Sequence, residues 1–435
     1  MGVGNIIFLI IFMASSLLFT KNLKRIIRNI KLGKDVDRSD NPVLRWKTMA
    51  RVALGQSKMV VRPIAGILHI LVYVGFVIIN IEVIEIIIDG IFGTHRVLSF
   101  MGNFYNFLIG SFEVLAFLVL VACVILYARR NFVKIQRFWK PEMKGWPASD
   151  ANLILIFEVL LMSAFLFMDA ADFLLQERGV FHHAGAFPIS SMLTPMLAGF
   201  SDGTLLLIER FCWWFHIIGI FGFLNYLVVS KHLHILFAFP NTYYSNLNPK
   251  GEFTNMASVT NEVKMMLDPN TDPFAAPSSD TPPERFGAKD VTDLNWVQLM
   301  NAYTCTECGR CTSECPANAT GKKLSPRKIM MDVRDRVEEV GKAIDKNGTD
   351  YSDGKSLLND FITTEELWAC TSCNACTEAC PINIDPLSII IDMRRYLVME
   401  KSAAPTELNM MFTNVENNGA PWQFPAADRL NWKDE

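Results

Sequence analysis

The chain has 435 residues, 51% of them hydrophobic, including 31 Phe, and a formal net charge of −3. Its mean hydropathy is positive, which excludes an ordinary soluble protein, and its length allows two or three domains. Residues 1–240 carry +7 and residues 241–435 carry −10. An apolar half with basic loops thus precedes a polar, acidic half, a balance that argues against nucleic acid as a partner.

Five apolar stretches, 3–20, 63–88, 104–128, 151–175 and 203–229, each suit a hydrocarbon core that takes roughly 20 helical residues to cross. The first reads as an uncleaved span. No basic residue precedes it, no small-x-small cleavage site is clear, and Lys and Arg follow it instead. The loop 21–62 has twelve Lys/Arg against three Asp, and the loop 129–150 has six against two. The two other loops offer only Arg96 and Arg178. The excess of positive charge places both basic loops, and the C-terminal half with them, in the cytoplasm, with the N-terminus outside.

Three of the seven histidines fall in or beside spans. His216 and His234 are 18 residues apart, which on one unbroken helix puts them on the same face about 27 Å apart along the axis. His69, near the cytoplasmic end of the second span, matches His234 in depth. Two facing imidazoles make a bis-histidine site for b-type haem, and ionisable groups inside a membrane default to functional roles. His216 has no histidine opposite it, so it either binds a second haem with an unidentified ligand or lines a quinone pocket. Glu209, Arg210, Asn80, Glu82 and Asp169 share its outer half of the membrane and are quinone or proton-relay candidates. Asp172 and Glu85 read as helix-end residues reaching the headgroups.

Residues 240–290 read as an extended connector, with Asp272-Pro273 and Asp280-Thr281-Pro282-Pro283 as turn signals. Residues 291–401 contain the sequence's strongest motif. Cys305, Cys308, Cys311 and Cys315, and again Cys370, Cys373, Cys376 and Cys380, follow C-x2-C-x2-C-x3-C-P, the run that holds [4Fe–4S] clusters. Three cysteines of a run grip one cluster and the fourth crosses to the other. Cluster one then takes Cys305, Cys308, Cys311 and Cys380, and cluster two Cys370, Cys373, Cys376 and Cys315. Structural zinc needs only four thiolates and is usually met as two separated pairs, and disulfides do not suit a reducing compartment. Apolar residues at helical spacing after Ser325-Pro326, and again over 386–399, make this a helical domain. Arg310, between two ligands, reads equally as a tuning or partner residue and as a solvated charge. Cys123 and Cys212 read as inert core thiols. The tail 402–435 has no catalytic group and is left as a partner contact.

With these residues in place, the membrane part (1–239) resembles the cytochrome b subunit of respiratory nitrate reductase and the membrane subunit of heterodisulfide reductase. The former carries two histidines on each of two helices, and this chain departs from it by lacking the outer histidine of span two. The cysteine domain is similar to the small iron–sulfur subunit of heterodisulfide reductase and to the cluster domain of the succinate dehydrogenase iron–sulfur subunit. The fused order resembles the membrane subunits of heterodisulfide-reductase-like complexes, including electron-transfer-flavoprotein:menaquinone oxidoreductases. The expected fold is all-α, a five-helix cytochrome b bundle followed by a helical dicluster ferredoxin domain. The resemblance implies an electron-transfer subunit in a bacterial or archaeal cytoplasmic membrane. It would link a cytoplasmic partner to menaquinone or ubiquinone through two [4Fe–4S] clusters and one or two b haems. The partner expected is a separate Cys-Cys-Gly-type iron–sulfur subunit or a flavoprotein, because the chain has no Cys-Cys pair. A competing reading, an iron–sulfur membrane protein that helps respiratory oxidases mature, needs no histidines in register.

Overall fold

The structure is a computed structural model that describes residues 2–269, 285–349 and 352–434. It is 71% helical and has no strand among the described residues. Five helices are long and apolar enough to cross a membrane. They are α1 (Val3–Ile30), α2 (Pro63–Phe92), α3 (Asn103–Asn131), α4 (Trp146–Glu177) and α5 (Asp202–Tyr226), the last prolonged by a tighter turn to Val229. Pro63 opens α2, where its missing N–H costs nothing, and Gly93 closes it with φ +74°. Helix α3 packs between α2 and α4, and α4 packs against α5. Small residues let these backbones approach. A Cβ on Gly75 of α2 would meet the Val119 side chain of α3.

Helix α1 does not stop at the expected end of its span. It continues to Ile30, and Ile26 and Ile30 join the hydrophobic core of the C-terminal domain. Asn29 is buried there, donating to the Tyr303 hydroxyl at 2.9 Å, while Arg28 donates to the Gly341 carbonyl at 3.0 Å. The basic end of α1 is therefore packed between the two parts of the chain.

A second departure lies at the end of α5. The register argument for His216 and His234 assumed one unbroken helix, but Ser230 is extended (φ −114°, ψ 153°) and a new helix, α6 (His234–Tyr243), begins beyond it. The cause is Asp150, buried at the start of α4. It accepts from the Tyr226 hydroxyl, from the Ser230 hydroxyl at 2.7 Å and from the Lys231 N–H at 3.0 Å. Those bonds replace the next helical turn.

The expected extended connector is helical in two places. Residues 240–243 complete α6, and Ala257–Leu267 forms a further helix. Asn241 explains the first of these, because its buried amide donates to the Ile382 carbonyl at 2.7 Å and accepts from Asn301 at 3.1 Å. The Asp272-Pro273 and Asp280–Pro283 signals lie outside the described residues. The C-terminal domain is built on α7 (Trp296–Thr304), α8 (Pro326–Asn347) and α9 (Pro386–Arg395), followed by a largely exposed α10 (Thr406–Asn418). Ser325 caps α8 by accepting from the Lys328 N–H, and Asp385 caps α9.

Gly341 of α8 tests the α1 contact, since a Cβ there would lie 2.4 Å from the Asn29 amide oxygen. The Asn29 amide is held on both sides by hydrogen bonds and cannot swing away freely. Gly341→Ala is expected to lower stability by about 1–3 kcal/mol, read as a lower Tm of the purified protein. An unchanged Tm would show that α1 is not tightly held there.

Candidate cofactor sites and the polar network of the bundle

The two cysteine runs adopt the same local fold. Positive φ occurs at Glu307 (54°) and Gly309 (71°) in the first, and at the matching Ser372 (56°) and Asn374 (59°) in the second. Glycine and asparagine tolerate this left-handed region best. Gly309 has a second reason to be glycine, since a Cβ would stand 2.5 Å from the buried Arg327 guanidinium. These turns aim the thiols inward. Cys305, Cys308, Cys311 and Cys380 line one cavity, closed by Met330, Ile382 and Ile384. Cys315 of the first run lies within electrostatic reach of Cys370, as does Cys373.

All ten cysteines are free. Burial pushes the Cys305 and Cys376 thiols up to about 12 and Cys380 to about 11, with neighbouring cysteines adding to each. Such thiols keep their protons at neutral pH until a metal displaces them, so iron binding is proton-linked. Two thiols also accept backbone N–H groups, Cys370 from Ser372 at 3.4 Å and Cys380 from Ile384 at 3.3 Å. Such bonds help set the potential of a thiolate-held cluster. The chemistry and placement of these donors fit a cubane held by four thiolates. Cys373 is exposed, whereas Cys305 and Cys380 are buried.

The first run sits against the bundle. Arg310 is buried, not solvated, and donates to the Lys58 carbonyl at 2.9 Å and the Met59 carbonyl at 3.3 Å, just before α2. Arg327 is fully buried and donates to the Arg137 carbonyl and the Glu142 carboxylate, both at 2.7 Å, in the loop between α3 and α4.

His69 lies one turn and a half beyond the start of α2, and its ring faces that of His234 with centroids 6.3 Å apart and planes at 42°. Two imidazoles bonded to one metal ion at roughly 2.0–2.1 Å each have ring centres about 6–6.5 Å apart, a spacing this pair matches. Nδ1 of His234 donates to the Lys231 carbonyl at 3.1 Å, which leaves Nε2 as the free lone pair. Nδ1 of His69 is buried without a partner. His232 is a third ring in this group, 5.4 Å from His234.

His216 is buried elsewhere. Its Nδ1 donates to the Leu161 carbonyl at 3.1 Å, and the ring packed against it belongs to Phe165, 5.8 Å away. Asn80 donates its amide to the Phe76 carbonyl of its own helix, and Glu209 pairs with its neighbour Arg210.

The end of the bundle away from the C-terminal domain holds a network the sequence did not reveal. Arg96 is buried and bonds Asp169 at 2.7 Å, Asp172 at 2.6 Å and the Tyr105 hydroxyl at 3.2 Å. Asp172 and Glu85 are only 2% and 3% exposed, so they do not reach headgroups. Glu85 accepts from the Leu98 N–H and the Tyr105 hydroxyl. Glu82, equally buried, keeps one carboxylate oxygen without a partner, as do Asp169 and Glu113. Arg96 had stood out only as the single base of its loop, and no local signal marks it as the cation that holds two buried carboxylates of α4.

The family of 4Fe-4S dicluster domains matches residues 304–384. The chain is 29% identical over 461 residues to a probable iron-sulfur-binding oxidoreductase, FadF, of Bacillus subtilis, covering 99% of this chain and 61% of that protein. It is 29% identical over 429 residues to the EtfAB:quinone oxidoreductase of Syntrophomonas wolfei, covering 92% of this chain and 55% of that one. A probable membrane-anchored ferredoxin of Chromohalobacter salexigens is 32% identical over 161 residues, 34% of this chain and 24% of its own length. The chain thus spans little more than half of its two longest-matching relatives. No solved structure matches it. Its homologues are iron–sulfur oxidoreductases, heterodisulfide reductase subunits among them, and its C-terminal domain is a 4Fe-4S domain carried by a membrane protein with five apolar helices.

Removing the charge of Arg96 would leave Asp169 and Asp172 buried without their cation, a loss on the order of 3–5 kcal/mol. Arg96→Met is therefore expected to unfold well below the wild-type temperature in detergent. Adding Asp169→Asn and Asp172→Asn should recover part of the loss. An Arg96→Met protein that melts with the wild type would show that the pairing carries no stability.

Proposed function

We propose that the chain is a membrane electron-transfer subunit passing electrons between a cytoplasmic redox partner and the quinone pool, through two [4Fe–4S] clusters and one b-type haem. The observation that carries this reading is the facing pair His69 and His234, 6.3 Å between ring centres, on the end of the bundle where the four-cysteine cavity docks. Relatives named for quinone-linked and iron–sulfur oxidoreductase roles support it. Clusters and haem supply one-electron chemistry when bound. Everything else is the work of the chain. The thiolates of Cys305, Cys308, Cys311 and Cys380 hold the first cluster, and those of Cys370, Cys373, Cys376 and Cys315 the second. Arg310 keeps the first cysteine run against the start of α2, and the Lys231 carbonyl fixes the tautomer and angle of His234. The exposure of Cys373 makes the second cluster the one that meets a cytoplasmic partner, a flavoprotein or a further iron–sulfur subunit.

At the far end, His216, Glu209 and Arg210 serve the quinone, and Glu82 and Asp169 move its protons. Glu82 keeps a buried, unpartnered oxygen, and ionisable groups inside a membrane default to functional roles. His216 packs against Phe165, which favours its quinone role over a second haem. Asn80 donates its amide to the Phe76 carbonyl of its own helix, which leaves its side-chain oxygen for the quinone. The proposed limits are a membrane part to about residue 239, a connector, the dicluster domain over 291–401 and a tail, the first of them falling within α6. The orientation puts the cysteine domain in the cytoplasm, as the loop charges require.

His69→Ala and His234→Ala are each expected to abolish the haem band in a reduced-minus-oxidised spectrum while non-haem iron stays at the wild-type level. Haem retained in both variants would refute the ligand assignment. Cys308→Ser should lose the first cluster and stop haem reduction by a donor that reacts at the second. Haem reduced at the wild-type rate would refute the order of the path.

A further inference from the structure

Glu307 and Lys231 stand between the two groups of cofactor-binding residues, and the proposed function uses neither side chain. Glu307 fills the gap between Cys305 and Cys308, and its carboxylate is buried. Each oxygen takes one cation, Arg334 of α8 at 2.7 Å on Oε1 and Lys231 on Oε2. Lys231 comes from the turn that Asp150 imposes between α5 and α6. Its ammonium also donates to the Pro147 carbonyl at 2.7 Å and lies 4.0 Å from Asp150. Its carbonyl accepts the Nδ1–H of His234 at 3.1 Å. One residue thus holds the ring of His234 with its backbone and the first cysteine run with its side chain.

We infer that Glu307 and Lys231 form an oriented charge pair that biases electron transfer from the first cluster toward the His69–His234 site. The inference rests on the proposed function for the existence of that second site. A fixed negative charge inside the ligand loop disfavours an added electron on the cluster, and so lowers its potential. A fixed positive charge on Lys231, whose carbonyl holds the His234 ring, favours an added electron on that side of the pair. The pair has its negative pole among the cluster ligands and its positive pole on the residue that anchors His234. With both groups bound, an electron passing from the site of Cys305, Cys308, Cys311 and Cys380, oxidised by one, to the site of His69 and His234, reduced by one, would move from the negative toward the positive pole of this pair. Burial matters, because the same charges in water would be screened. Arg334 offsets part of the carboxylate's effect, and Asp150, 4.0 Å from the ammonium, offsets part of that of Lys231. A residue that only braced the interface would leave both potentials where they are.

The test is redox titration of the whole purified protein followed by EPR, with Cys308→Ser marking which signal belongs to the first cluster. Glu307→Gln keeps the shape and removes the charge. It is expected to raise the midpoint potential of the first cluster, to leave the second unmoved, and to be reversed by Glu307→Asp. Lys231→Met is expected to lower the potentials of the first cluster and of the haem. If Glu307→Gln loses the first cluster on purification, the Lys231→Met titration decides alone. A first-cluster potential unchanged in the surviving variant, or both clusters moving equally, would overturn the inference. A protein without haem would refute the proposed function yet still leave the cluster arm of this test readable.

Discussion

Glu307, Arg310 and Arg327 are buried charges of the C-terminal domain whose partners lie on the loops of the membrane bundle: Lys231, the carbonyls of Lys58 and Met59, and Glu142 with the Arg137 carbonyl. A buried charge stripped of its partner costs several kcal/mol, so the domain has one place in which all three are satisfied. That place sets the four-cysteine cavity beside the turn that carries His234 and against the start of the helix that carries His69. The remaining geometry follows from this docking. Helix α1 continues past its span because its end is packed into the domain, and Asp150 bends the chain after α5 so that Lys231 can reach Glu307.

The same rule of buried charge shapes the other end of the bundle. There Arg96 gathers Asp169 and Asp172, and backbone N–H groups and a tyrosine satisfy Glu85 and Asp89. Glu82 is left with an unpartnered oxygen. One end of the bundle is therefore built from charges that dock a domain, and the other from an arginine among buried carboxylates.

Much of the fold was legible in the sequence. Five apolar runs became five helices because length and hydropathy alone decide that outcome. The helical character of the C-terminal domain was written in its apolar spacing and in the Ser325-Pro326 cap. The cysteine spacing named the groups of thiols, and the structure gathers Cys380 with Cys305, Cys308 and Cys311 in one cavity. What the sequence hid was long-range pairing. The register of His216 and His234 failed because Asp150, some 80 residues earlier in the chain, takes the bonds of the next turn. Arg96 looked like a lone loop base, Arg310 equally like a tuning or partner residue and a solvated charge, and Asp172 and Glu85 like headgroup contacts, since each is explained only by residues from elsewhere in the chain. Glu307 and Lys231 carried a weak signal, one lying between two cysteines of a run and the other three residues before a histidine, but neither position states its partner.

The account stands on the coexistence of clusters and haem in one chain, and a single preparation tests it. Iron and haem should be counted per chain on purified protein, alongside a dithionite-reduced minus oxidised spectrum. The account predicts about eight non-haem irons, as two four-iron clusters require, together with one b-type haem. A full complement of iron with no haem would contradict it, and would turn the facing histidines into a feature of the bundle's packing.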